Sequence, residues 1–383
     1  MDKKELIGQI QKTRNSKVIV YITGDRHPIG SMIAEDAVRP LYEHLLSTIG
    51  NNQRIDLFLY SRGGDVSVPW RIVSMFREFC DEFSILVPYK AHSAATLISL
   101  GADKIIMGKK SELSPIDPTL KKISMGETAG TPKEISVEDV NSYISFIRER
   151  ANINDQSALA EMVSILANNL APLTLGSVNR QNSHIRLVAR KLLTSRKEKL
   201  DEAKINSIIE TLTEKIYSHG HAIGRREAQE IGLPIVLPEE PLENFLWNLY
   251  LEYEKVLKLT EPLDPMVVLK GKEEEHLEQI PLAVIESENR TDMFSVSIDF
   301  KRKRQVPSNL QINLNLGLNL PAGIKPEEVP PQIQQILQQL VSQVAKDVPK
   351  FVQQEIARQS PEIGLDIRMY GGNWRECKKE GKI

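Results

Sequence analysis

The feature that most constrains this chain is a recurring unit: an apolar run of strand length, a short polar turn, then apolar residues at helical spacing. Lys17-Val-Ile-Val-Tyr-Ile22 is the first run, followed by the turn-rich Thr23–Gly30 and a helical pattern from Ala34 to Ile49, with Val38, Leu41, Leu45 and Ile49 on one side. Ile55–Tyr60 comes next, ending in Ser61-Arg62-Gly63-Gly64-Asp65, with helical spacing from Val66 to Cys80. Ser84–Tyr89, the turn Lys90-Ala91-His92 and a short helical run Ser93–Leu100, stopped by Gly101, repeat the plan. Uninterrupted apolar runs of this length suit strands covered on both faces. Alternation with helices then implies a parallel sheet with right-handed crossovers.

Ser93 falls at the start of a helix, where the first amides have no partner within the helix and carry the positive end of its dipole. A nucleophile placed there has donors beside it for an oxyanion. Gly63 and Gly64 allow a substrate to approach the main chain closely. The Gly64 and Ala94 amides together would make an oxyanion hole for acyl transfer, each donor worth ~2.7–4 kcal/mol. The competing reading is that Ser93 only caps its helix, as serines before helices commonly do. His92 is read as a loop residue, because neighbours at a helix start point in different directions. Gly108-Lys109-Lys110-Ser111 ends like a phosphate-binding loop, but Gly101 lies too far upstream for that motif, so ATP chemistry is not expected.

Tyr60-Ser-Arg-Gly-Gly-Asp65, Ala91-His-Ser-Ala-Ala-Thr96, Gly101-Ala-Asp-Lys-Ile-Ile-Met-Gly108 and Ser114-Pro-Ile-Asp-Pro118 resemble, in that order, the serine dehydrogenase proteinase family. This is a prokaryotic branch related to signal peptide peptidase A, in the superfamily of the Clp proteolytic subunit and crotonase. The resemblance covers about residues 5 to 300. It implies an α/β fold: a ClpP/crotonase-like spiral of βαβ units with helical arms and a smaller C-terminal α+β region. It also implies Ser93 as nucleophile, with Gly63–Gly64 in the oxyanion loop.

A serine hydroxyl needs a base at neutral pH, a histidine or a lysine in this superfamily. Counting forward from Ser93 as in the Clp subunit, the triad-histidine position falls on Asp117, while His219 and His221 stand near the place of that subunit's acid. An exchange of roles follows as one expectation: His221 as base, oriented by Asp117. Lys133 is the alternative base, by likeness to the lysine of the signal peptide peptidases. Asp117 also has a reading as a turn residue in Ile-Asp-Pro.

The 383 residues exceed one typical core. The expected division is a peptidase domain over 1–240, with a helical stretch from Asn152 to Tyr217 divided at Pro172 and Gly176, a connecting helix and short strands over 241–305, the strands at Ala283–Ile285 and Phe294–Ile298, and a Pro/Asn-rich linker with an amphipathic helix over 306–383. That helix, within 329–358, carries Ile333, Ile336, Leu337, Leu340, Val341 and Val344 on one stripe, which suggests packing on the core or in a homo-oligomer. A net charge of −2 gives no global pull toward nucleic acid, and the Lys/Arg-rich stretch Arg180–Lys204 alternates with leucines as a solvated helix face. The two cysteines, Cys80 and Cys377, make no disulfide framework; Cys80 falls on an apolar face. No metal and no cofactor are expected, since His-Glu-x-x-His spacing and a dinucleotide glycine fingerprint are both missing. A charged start without an apolar segment, and no long apolar run, give the expectation of a cytoplasmic protein with no membrane span. An ATP-independent serine peptidase acting on protein or peptide substrates is the functional expectation, with a catalytically weak interaction scaffold of the same fold as the alternative.

Overall fold

The structure, a computed structural model, describes residues 1–48, 54–116, 145–169, 172–216, 220–306 and 329–377, with a few residues between 119 and 143. Strands form where the apolar runs were: Lys17–Thr23, Arg54–Tyr60, Glu82–Val87 and Lys104–Met107 pair in parallel, with Ile235–Val236 beyond Lys104–Met107. On the other side of Lys17–Thr23 the residues Ala283–Glu286 pair antiparallel. The result is the mixed α/β architecture expected from the alternation, built on a large sheet of parallel and antiparallel strands.

Successive side chains of each strand enter opposite layers, which is why the runs are apolar throughout. Ile19, Tyr21, Leu57, Leu59, Ile85, Val87, Ile105 and Met107 meet Leu41, Leu45, Ile72, Phe76, Leu97, Ile185 and Leu192 of the helices on one face. Val20, Ile22, Phe58, Tyr60, Leu86 and Ile106 meet the helices Lys3–Arg14 and Leu242–Leu257 on the other. Lys3–Arg14 starts on a capping box, Asp2 with Glu5, and stops at Asn15 in the left-handed region. Parallel strands deliver their C-terminal ends to one edge, so Asp25, the Ser61–Asp65 loop and the Ala91–Ser93 turn emerge together.

The helical region between the sheet segments comprises Gln156–Asn169, Pro172–Thr194 and Glu202–Glu210. Pro172 begins its helix, where a missing N–H leaves no bond unmade. Gly176, read from the sequence as a second divider, lies inside that helix instead. No helix among the described residues is long and apolar enough to cross a membrane.

Two compact units divide the chain: Met1–Leu263 with Pro281–Ser295 and Gly372–Ile383, and Asp264–Ile280 with Val296–Gly371. The second unit contains the helix Pro331–Gln359, whose Ile333, Ile336, Leu340, Val344 and Phe351 are exposed. The Arg304 guanidinium holds Glu273 through two hydrogen bonds of 3.0 and 2.7 Å in the same unit. Most of the expected linker, residues 307–328, lies outside the described residues.

Candidate active site

Ser93 sits between the short strand Lys90–Ala91 and the helix Ala94–Leu100. An ordinary capping serine has extended backbone angles and accepts a first-turn amide on its hydroxyl. Ser93 does neither: its φ is 51° and its ψ is −112°, and its side chain makes no capping hydrogen bond. A residue other than glycine held in such a region costs ~1–3 kcal/mol. Strand-to-helix turns that hold a serine in this strained way expose its hydroxyl for attack. Among the described residues the Ser93 hydroxyl has no hydrogen-bond partner.

The Gly-Gly loop runs beside this turn, because Ser61 donates its amide to the Lys90 carbonyl (3.0 Å) and accepts the His92 amide (2.9 Å). Farther along, the Gly63 carbonyl accepts from the Ile33 amide and the Ile33 carbonyl from the Asp65 amide, both at 2.8 Å. With both neighbours bonded to Ile33, Gly64 turns its own amide to the opposite side. That amide and the Ala94 amide have no partner among the described residues. A Cβ on Gly63, at φ 116°, would stand 2.7 Å from the Ser93 Cβ. One on Gly64 would lie 2.1 Å from the Ile33 carbonyl oxygen. Gly64→Ala is therefore expected to push the loop off Ile33 and slow acylation of Ser93 by about 10²-fold or more, the usual cost of one lost oxyanion donor. Unchanged acylation by a fluorophosphonate would show that this loop is not the oxyanion wall.

Charged groups surround the turn. His92 Nε2 lies 3.1 Å from Glu112 Oε1. Burial pushes the His92 pKa below its usual value, Glu112 opposes this, and Arg62 and Lys90 reinforce it. Its imidazole is therefore neutral at neutral pH. Asp25 accepts from the Tyr60 hydroxyl (2.8 Å) and from Lys90 Nζ (3.3 Å), with Arg62 Nε at 3.7 Å. Sequence reasoning missed Glu112 and Asp25, which no local pattern marks.

His221 precedes the strand Ile223–Gly224, which pairs with Glu112–Leu113, itself paired with Lys90–Ala91. One three-stranded sheet thus joins the His221 segment to the strand that leads into Ser93. The carboxylate on His221 is Glu227, with Nε2 and Oε1 2.8 Å apart. Asp117, Lys133 and His219 lie outside the described residues. Cys80 is half-buried, its thiol donating to the Phe76 carbonyl (3.2 Å), and burial pushes its pKa up to about 12, which suits an inert thiol. No group of three or more His, Cys, Asp or Glu among the described residues is placed to hold a metal ion.

Ser93 thus stands at a helix start beside the Gly63–Gly64 loop, whose Gly64 amide has no partner among the described residues. Residues 1–142 match the family of ClpP-like SDH-type serine proteinases. This is the family to which the motif resemblance pointed. Two uncharacterized proteins of Methanocaldococcus jannaschii are also similar to the chain. One is 27% identical over 248 residues, a match spanning 62% of this chain and 74% of that protein. The other is 28% identical over 127 residues, spanning 31% of this chain and 43% of that protein. The family match points to a peptidase, and the matched segment contains Ser93, Gly63 and Gly64.

Proposed function

We propose that this protein is an ATP-independent serine peptidase, its βαβ units wound as the ClpP/crotonase spiral, which hydrolyses peptide bonds through an acyl-enzyme on Ser93. The observation that carries this reading is Ser93 itself: it gives up the relaxed capping geometry and stands at φ 51° with a hydroxyl that has no hydrogen-bond partner among the described residues. In the reaction the Ser93 oxygen adds to the peptide carbonyl carbon while its proton passes to the base. Negative charge collects on the carbonyl oxygen, where the Gly64 and Ala94 amides are available to hold it. The base then protonates the leaving amine, and water releases the acyl group by the same steps in reverse roles. His221 is the base we place first, with Asp117 to orient it as the sequence suggested and the Glu227 carboxylate 2.8 Å from its Nε2; Lys133 is the alternative. The reading implies protein or peptide substrates, a cytoplasmic setting and no nucleic-acid partner. The exposed stripe on Pro331–Gln359 supports a homo-oligomer.

A fluorophosphonate probe tests the reading. Labelling of the folded protein is expected at Ser93, located by mass spectrometry of its peptides. A folded protein that never labels would instead favour an interaction scaffold that keeps the fold without the chemistry. The same assay separates the bases. With His221 as the base, His221→Ala should remove acylation and Lys133→Ala should spare it. With a lysine base, Lys133→Ala would instead be the inactive variant.

A further inference from the structure

We propose that two pairs of buried hydroxyls, Thr96 with Ser114 and Thr23 with Ser61, are positioning residues that preset the two walls of the Ser93 site; this rests on the peptidase reading. The first pair clamps the nucleophile turn. The Ser93 amide donates to Ser114 Oγ at 2.8 Å, and Ser114 Oγ donates to the Pro115 carbonyl at 2.8 Å. The Ser114 amide donates to Thr96 Oγ1 (3.1 Å), and Thr96 Oγ1 donates to the Ala91 carbonyl (2.7 Å). Main-chain groups on both sides of His92 are thereby tied to one pair of side chains.

The second pair clamps the glycine loop. Thr23 Oγ1 donates to Ser61 Oγ at 2.6 Å, and Ser61 Oγ accepts the Gly63 amide at 3.0 Å. Ser61 Oγ also donates to the Gly63 carbonyl (3.3 Å), which accepts from the Ile33 amide as well (2.8 Å), so Gly63 is held at both its amide and its carbonyl. The Gly64 amide, between two anchored neighbours, has no partner among the described residues.

All four hydroxyls are at most 2% exposed. A buried hydroxyl is kept without loss only where it has partners, and here the partners include the main-chain amides of Ser93 and Gly63. The consequence is specific. With Ser114 Oγ removed, the Ser93 amide is left unpaired at a strained φ. The favourable escape is the extended angle of an ordinary cap, which turns the hydroxyl onto its own helix and away from a substrate carbonyl. Ser114 therefore also decides the oxyanion donors: it occupies the Ser93 amide, while the Ala94 amide has no partner among the described residues.

The test compares Thr96→Val, which keeps the volume and removes the hydroxyl, with Thr96→Ser, and adds Ser114→Ala and Ser61→Ala. Saturating fluorophosphonate should acylate Thr96→Val, Ser114→Ala and Ser61→Ala about 10- to 100-fold more slowly, the cost of a nucleophile misplaced by ~1 Å. The probe concentration giving half-maximal rate should stay the same, and Thr96→Ser should restore the rate. Amide hydrogen exchange reads the geometry apart from activity: in Ser114→Ala the Ser93 amide should exchange at least about 10-fold faster, with the amides of Leu97–Leu100 unchanged. Should Ser114→Ala fail to fold, Thr96→Val decides. Wild-type acylation rates in folded Thr96→Val and Ser61→Ala would overturn the proposal while leaving the peptidase reading intact. A wild-type protein that never labels would overturn both, even if the exchange shift were seen.

Discussion

Replacing Ser93 by glycine is expected to abolish acylation and, at the same time, to raise the stability of the protein by about 1 kcal/mol. On the peptidase reading, this change removes the hydroxyl that attacks the substrate carbonyl. The gain follows from the backbone: φ 51° with ψ −112° is costly for a residue with a Cβ and open to glycine. Relief of ~1–3 kcal/mol of strain is offset by the greater freedom of glycine in the unfolded chain, ~0.4–1 kcal/mol. Little else is lost, because the Ser93 hydroxyl has no partner among the described residues. Ser93→Ala is the control: it also loses acylation but keeps the Cβ and so the strain. Urea midpoints should therefore rank Ser93→Gly above Ser93→Ala, with Ser93→Ala near the wild type. A glycine variant less stable than the alanine variant would mean that the turn is relaxed, and the main support for a nucleophile at this position would be gone. A serine kept in a conformation that opposes folding is a cost that activity explains and stability does not.

What could be read from the sequence divides along one physical line. The strands at Lys17–Thr23, Arg54–Tyr60 and Glu82–Val87 and the helices after the first two were legible because periodicity is local. The position of Ser93 before a helix was legible for the same reason. The sign of its φ was not, since the group that holds its amide is Ser114, 21 residues away. Glu112 on His92 is 20 residues away and equally invisible to a pattern. Ala283–Ile285 and Phe294–Ile298 were recognisable as strand pieces, yet the strands are Glu274–Glu286 and Thr291–Arg304. Their outer parts, such as Glu274-Glu-His-Leu-Glu-Gln279, are polar and largely exposed, so they carry no apolar run to find. Gly176 misled because a glycine is tolerated within a helix at a modest cost of ~1 kcal/mol, and nothing lies within 4 Å of where its Cβ would be.

His44 gives the largest expected effect on stability. Its ring is fully buried between Ser287, whose Oγ is 2.8 Å from Nδ1, and Asp292, whose Oδ2 is 2.9 Å from Nε2. These are the residue types of a catalytic triad, but Ser287 and His44 are 0% and Asp292 2% exposed, so no substrate reaches them and the probe should leave Ser287 unlabelled. The array joins the helix Val38–Thr48 to a turn more than 240 residues later, His44 and Ser287 being 243 positions apart. Arg290 completes it, bonded to Asp292 and to Glu43. His44→Ala leaves a buried carboxylate short of one partner and a buried hydroxyl with none from this ring. The expected loss is ~2–5 kcal/mol, ~1–3 kcal/mol for each buried polar group that the ring no longer satisfies. Acid separates the charge from the packing. Burial alone would push the Asp292 pKa up, but the hydrogen bonds from His44 and Arg290 outweigh it and hold the carboxyl below its usual value. A carboxyl whose folded pKa is below the unfolded ~3.9 adds its full stabilisation above that value and loses it as pH falls through the folded pKa. Asp292→Asn should then be clearly less stable than wild type at pH 7, with the gap closing below about pH 4. Asp103, whose carboxyl burial would raise but the hydrogen bonds from Arg77 and main-chain amides hold below its usual value, is present in both proteins and cancels in the difference. An unfolding gap that stays the same from pH 7 to pH 3 would show that Asp292 contributes through shape alone and that its charge adds nothing.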